Sequence, residues 1–253
     1  MSTVMTGLAL ALVLGLGSAA WAEEAKKAET PAQVDAAKPK TASPAPPADA
    51  PAAAPSPAET ALAPAAKELS APVEREFKAA LDGTMQKYME LLPKEFDPQK
   101  PHDVMIALHG HGSDRTQYAT QARAECKGSR DVAARHEMIF ISPDYRASTS
   151  WMGPAAEADL VQLIALLKAQ YKVRRVYLTG ASMGGTSVLI FAALHPDLVD
   201  GALSSNGTAN MEKYDKFQPA IIASYGGTKE QKPEEYRKRS PELFPKRFTM
   251  PLA

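Results

Sequence analysis

Two short stretches of the 253-residue chain hold residues whose types and spacing could do covalent chemistry. The first is Gly180-Ala-Ser182-Met-Gly184, a serine between glycines at the end of the β-branched and aromatic run Arg175-Val-Tyr-Leu-Thr179. Chance alone puts G-x-S-x-G in roughly one 250-residue chain in ten, so the setting decides. A strand is expected before it and a helix from Thr186 to Leu194 after it, the strand–turn–helix arrangement that thrusts a nucleophilic serine out of a sharp turn. Side chains at the glycine positions would collide with strand and helix. Ser182 is the candidate nucleophile for attack on a carbonyl carbon, and the following helix N-terminus favours the anion that forms.

The second stretch is His109-Gly-His-Gly112, directly after the apolar run Asp103-Val-Met-Ile-Ala-Leu108. A serine so placed uses two backbone N–H groups to hold the oxyanion, one from the residue after it and one from the loop behind an earlier strand. Met183 and His111 are the candidates, and each such donor typically contributes about 3–4 kcal/mol in the transition state. The His109 side chain is expected to hold this loop together rather than carry protons.

Positioning these groups requires a sheet whose strands end at the two loops. Apolar runs at 103–108, 137–141, 175–179 and 198–204 read as strands, with a further strand favoured over Tyr88–Leu92. Helices are expected over Ala155–Tyr171 and Thr186–Leu194, and Pro72–Leu81 also has helical spacing. The charge run Lys232–Arg239 reads as a solvated surface helix. Strands separated by helices give an α/β fold, a three-layer α/β/α sandwich with a mostly parallel sheet and its site beyond the carboxyl ends of the strands.

Taken together, Tyr88-Met-Glu-Leu-Leu-Pro93, Ile106-Ala-Leu-His-Gly-His-Gly-Ser113 and Tyr177-Leu-Thr-Gly-Ala-Ser-Met-Gly-Gly185 resemble the α/β-hydrolase superfamily. Trp151-x-Gly153 with Asp159, and Tyr225-Gly-Gly-Thr228 with Tyr236-Arg-x-Arg-Ser-Pro241, extend the likeness over about residues 85–253. Within it the chain is similar to exported esterases of the feruloyl-esterase and polyhydroxybutyrate-depolymerase kind, and to prolyl-oligopeptidase-like peptidase domains. The resemblance implies cleavage of a small-molecule carboxylic ester or a peptide bond through a Ser182 acyl-enzyme.

It also implies a general base and an orienting acid, in the chain order Ser, Asp or Glu, His. Of His102, His109, His111, His136 and His195, only His195 follows Ser182, at the end of the helix leading away from the turn. Asp197, Asp200 and Asp215 are not in a Gly-x-x-Asp setting after a later strand. Neither the triad acid nor the triad His is therefore expected in this chain, and the expectation is a hydrolase domain incomplete at its C-terminus and probing little turnover, because losing the base costs on the order of 10⁶ in rate. The alternative is a non-catalytic exported binding module that keeps the hydrolase fold.

Composition narrows the remaining classes. Twenty-nine basic residues balance 29 acidic ones, so there is no net field to draw in nucleic acid or an anionic membrane. A single cysteine, Cys126, excludes an intramolecular disulfide framework and is expected to be a free, unreactive thiol. No phosphate-binding glycine loop, H-E-x-x-H or dense ligand cluster is present, so no cofactor and no metal are expected. The uncharged run Val4–Trp21 and the small residues of Ala20-Trp-Ala22 read as a secretory signal over residues 1–22, with export to the periplasm or the exterior and no other membrane segment. Residues 23–71, rich in Ala and Pro and lacking aromatic residues, read as a disordered linker, leaving 72–253 as the hydrolase domain.

Overall fold

The computed structural model describes residues 67–253; the expected signal and most of the expected linker lie outside them. Six strands, β1 (Val73–Lys78), β2 (Met85–Leu91), β3 (His102–Leu108), β4 (Ile139–Pro143), β5 (Val173–Ala181) and β6 (Gly201–Ser205), form one sheet in the order β1-β2-β4-β3-β5-β6. β3 through β6 run parallel, and β1 and β2 close one end as an antiparallel pair. The helices are α1 (Thr116–Thr120), α2 (Ala124–Arg135), α3 (Pro154–Gln170), α4 (Met183–Leu194), α5 (Gln218–Tyr225) and α6 (Pro233–Lys238).

β3 shows why the sheet is covered on both faces. All seven of its residues are buried, so the strand reads as a continuous apolar run rather than an alternation. Val104, Ile106 and Leu108 face the larger core, with Leu160, Leu163 and Ile164 of α3 and Val188 and Phe191 of α4. Met105 and Ala107 face the other way, onto Tyr118 of α1 and Cys126 and Ala133 of α2. Three layers result, as the alternation of strand and helix implies.

Two local expectations are corrected. Val73–Lys78 is a strand, not a helix: Val73 to Lys78 pair residue by residue with Glu90 back to Met85. The turn between them holds Gly83 at φ +75°, with the Ala79 N–H donating to the Thr84 carbonyl at 2.8 Å. Asp82-Gly83 is a hairpin dipeptide, and its backbone pairing outweighs a spacing in which only Phe77 and Ala79 are withdrawn from solvent. The run 232–239 does form a helix, but it is not fully solvated, since Tyr236 and Arg239 are buried. Pairing of the chain also starts ahead of Pro72, where the Lys94 N–H donates to the Glu68 carbonyl and the Ser70 N–H to that of Leu92.

Candidate active site

Backbone strain marks one edge of the sheet. Among the described residues, eight non-glycine residues have positive φ, and seven of them follow the carboxyl ends of strands: Tyr145, Arg146, Trp151 and Met152 after β4, Ser182 after β5, Asn206 and Phe217 after β6. Left-handed backbone at residues with side chains is costly and collects where function requires it.

Ser182 stands at the centre of this edge with φ 58° and ψ −120°, between the last residue of β5 and the first of α4. Its side chain is exposed. Its N–H donates to the Ser205 carbonyl at 2.9 Å and its carbonyl accepts from the Thr186 N–H at 2.9 Å, so the turn is tied to β6 and to the helix at once. The flanking glycines have a steric reason. A Cβ on Gly184 would lie 2.0 Å from the Leu108 carbonyl oxygen, and one on Gly180 would lie 2.6 Å from the Gly184 carbonyl group. The start of α4 therefore rests directly on the end of β3, at the point where the His109 loop begins.

That loop is fastened from four sides. The Gly110 N–H donates to Gln117 Oε1 at 2.8 Å, and the Gly112 N–H to the Ser148 carbonyl at 2.8 Å. The buried Tyr145 hydroxyl donates to the His109 carbonyl at 2.6 Å. The His109 ring nitrogens lie 2.9 Å from the Gly110 carbonyl and 3.1 Å from that of Asp144, one of which accepts the single N–H of the neutral ring, the form that burial favours by lowering its pKa. His109 is thus a structural tie, as the sequence suggests. Among the described residues, neither the Met183 N–H nor the His111 N–H meets an acceptor.

The histidines are spread over the domain. The His102 ring nitrogens lie 3.1 Å from the Glu137 carbonyl and 3.0 Å from that of Asp97, and His136 is exposed at the far end of α2, next to the start of β4. His195 caps α4 and meets the Glu157 carboxylate at 3.1 Å, in an ion cluster with Lys238 and the fully buried Arg239. His111 Nδ1 accepts from the Trp151 indole N–H at 3.0 Å. Among the described residues, none of the five histidines is hydrogen-bonded to Ser182, and Asp197, Asp200 and Asp215 form no hydrogen bond with a histidine. Cys126 is a buried free thiol whose pKa is pushed up by burial.

The sequence reading missed an aromatic group beside these loops. The His111 ring lies 5.8 Å from that of Trp151 and 4.5 Å from that of Phe217, and Tyr214 lies 5.6 Å from Trp151. Phe217 and Tyr214 belong to a segment with no apolar period, so only the fold brings them here. A sizeable hollow lies elsewhere among the described residues. It has a volume of about 640 Å³ on the α2 side of the sheet, bounded by Tyr118, Val132, Met138, Tyr177, Leu203 and Leu252. It contains neither Ser182 nor His111.

A sequence profile of the alpha/beta hydrolase fold matches residues 109–235, and the chain belongs to that family. No curated protein matches the chain. Among solved structures it is similar to FphF, a fluorophosphonate-binding serine hydrolase of Staphylococcus aureus, with 16% identity and a TM-score of 0.57 over 73% of this chain and 78% of that one. It is similar to a ferulic acid esterase at 16% identity and a TM-score of 0.54, over 70% and 71%. It also resembles a Bacteroides ovatus protein described as a dipeptidyl aminopeptidase IV, at 18% identity and a TM-score of 0.55. That match takes in 73% of this chain but only 27% of the longer one.

Proposed function

We propose that this edge is the acyl-transfer site of a serine hydrolase acting on carboxylic ester or peptide bonds. Ser182 is the nucleophile, and the N–H groups of Met183 and His111 are the donors for the oxyanion. The observation that carries the reading is the strained Ser182 backbone, held at φ 58° with the glycine-lined turn pressed onto Leu108. Such strain projects a hydroxyl away from the sheet at the start of a helix, where the dipole supports developing negative charge. The esterase and peptidase neighbours support the reaction class and do not separate its two branches.

A second reading, a binding module that keeps the fold without turnover, is favoured by the engagement of the histidines away from Ser182. A fluorophosphonate probe separates the two. The hydrolase reading expects labelling confined to Ser182 and abolished in Ser182→Ala. It should be slow, because the described residues supply no base to the hydroxyl. Absence of labelling, with retained ligand binding and a cooperative melt, would leave the binding module.

A further inference from the structure

The pairing of His111 with Trp151 fixes more than a loop. An indole N–H can only donate, so His111 Nδ1, at 3.0 Å from it, is an acceptor and the ring proton sits on Nε2. Trp151 is a rigid reference for this bond. It is 2% exposed, its backbone has φ 44°, its carbonyl accepts from the buried Tyr225 hydroxyl, and Arg239 Nε donates to the carbonyl of the next residue, Met152. Nε2–H has no acceptor among the described residues, and the His111 side chain is half-buried in the loop that carries the proposed oxyanion donor.

Phe217 supplies an independent observation. It stands at the N-cap of α5 with φ 54°, in left-handed backbone that a phenylalanine rarely adopts. Its side chain nevertheless remains 46% exposed, with its ring 4.5 Å from His111 and 5.3 Å from Trp151. Strain spent on an exposed aromatic ring, beside an uncommitted donor, is what a ligand-facing surface requires and what a core does not.

Resting on the reading of Ser182 as the acyl-accepting serine, we propose that the His111 side chain is a specificity-determining residue: a neutral Nε2–H donor on an aromatic ledge, which selects ligands that pair an oxygen acceptor with a planar, unsaturated group. With Nδ1 committed to Trp151, His111 serves as donor and not as base. Flat rings gain from stacking on Phe217, and puckered rings of the same size do not.

The test uses the full chain with ¹⁵N-labelled histidine, titrated with benzoate and with cyclohexanecarboxylate, which share a carboxylate and differ in planarity. The nitrogen shifts of unliganded His111 should report an unprotonated Nδ1 and a protonated Nε2. Benzoate should bind about threefold to tenfold tighter than cyclohexanecarboxylate, and Phe217→Leu should remove that preference while retaining the fold. Trp151→Phe should mix the two His111 tautomers. A protonated Nδ1 in the wild-type chain, or equal affinities for the two acids, would overturn the proposal; because Phe217→Leu is a surface change, the result does not depend on whether Trp151→Phe folds. Fluorophosphonate labelling on the same samples keeps the two readings apart. Loss of labelling with the benzoate preference intact removes the nucleophile and leaves the donor, and the reverse pattern removes the donor alone.

Discussion

Gly184 is the contact through which the fold sets the serine, and replacing it with alanine measures that contact. The added methyl would fall 2.0 Å from the Leu108 oxygen, 2.8 Å from the Leu108 carbonyl carbon and 2.9 Å from the His109 oxygen. All three are backbone atoms of the central strand and the loop behind it, so no side chain can swing aside. Relief requires the start of α4 to withdraw by about 1 Å, which puts the cost at the top of the overpacking range or above it, about 3 kcal/mol or more. Gly128 is the control: it is an exposed position within α2 where an added methyl meets nothing within 4 Å. Gly128→Ala should stabilise by about 0.5–1 kcal/mol, because alanine loses less backbone freedom in a helix. Urea unfolding followed by circular dichroism should therefore separate the two variants by about 4 kcal/mol. The fluorophosphonate reaction of folded Gly184→Ala should slow by about 10²-fold, since the displaced hydroxyl is no longer aligned with a phosphorus centre whose oxygen lies on the proposed Met183 and His111 N–H donors. If Gly184→Ala unfolds within about 1 kcal/mol of the parent, the turn does not rest on β3 and the steric account of the motif is wrong.

Two further outcomes follow from buried charge. Arg239 has no exposed side-chain surface and pairs with Glu157 and Glu235, so Arg239→Met should cost about 3–5 kcal/mol in urea unfolding, against less than about 1 kcal/mol for the half-exposed Lys238→Met; equal costs would refute the buried pairing. Burial takes the Asp159 carboxyl up to about 6, against the opposing pull of Arg146. The folded state then binds a proton that the unfolded state has released between roughly pH 4 and pH 6, so this group makes stability fall as pH rises through that window. Relative to the parent, Asp159→Asn should accordingly gain about 2 kcal/mol on moving from about pH 4.5 to about pH 7, and a pH-independent difference would show that Asp159 keeps an ordinary carboxylate affinity.

The serine turn and the loop behind β3 were legible because both are short and local: a β-branched strand, then glycines at positions where only glycine fits. β3, α3, α4 and β5 were legible for a related reason, since long apolar runs declare themselves by their period. α2 escaped notice because its buried face consists of small residues, Cys126, Ala133 and Ala134, which carry little hydrophobic contrast. β1 was misread because four of its six residues are charged and its structure comes from pairing with β2, a partner that periodicity does not contain. The aromatic group of His111, Trp151 and Phe217 spans more than 100 residues of sequence, and its assembly depends on three separate strand ends. No local pattern could have announced it.

The two ends of the sheet differ in what they offer to another chain. β1 presents Glu74, Arg75, Glu76 and Lys78, charges that resist the approach of a further strand. β6 has no charged residue, and Pro251–Ala253 lie along it in parallel, with Leu203 and Leu252 each more than 40% exposed. The Ala202 N–H donates to the Pro251 carbonyl, the Ala253 N–H to that of Ala202 and the Ser204 N–H to that of Ala253, so the edge that lacks charge is occupied by the chain's own backbone, while charge guards the opposite one.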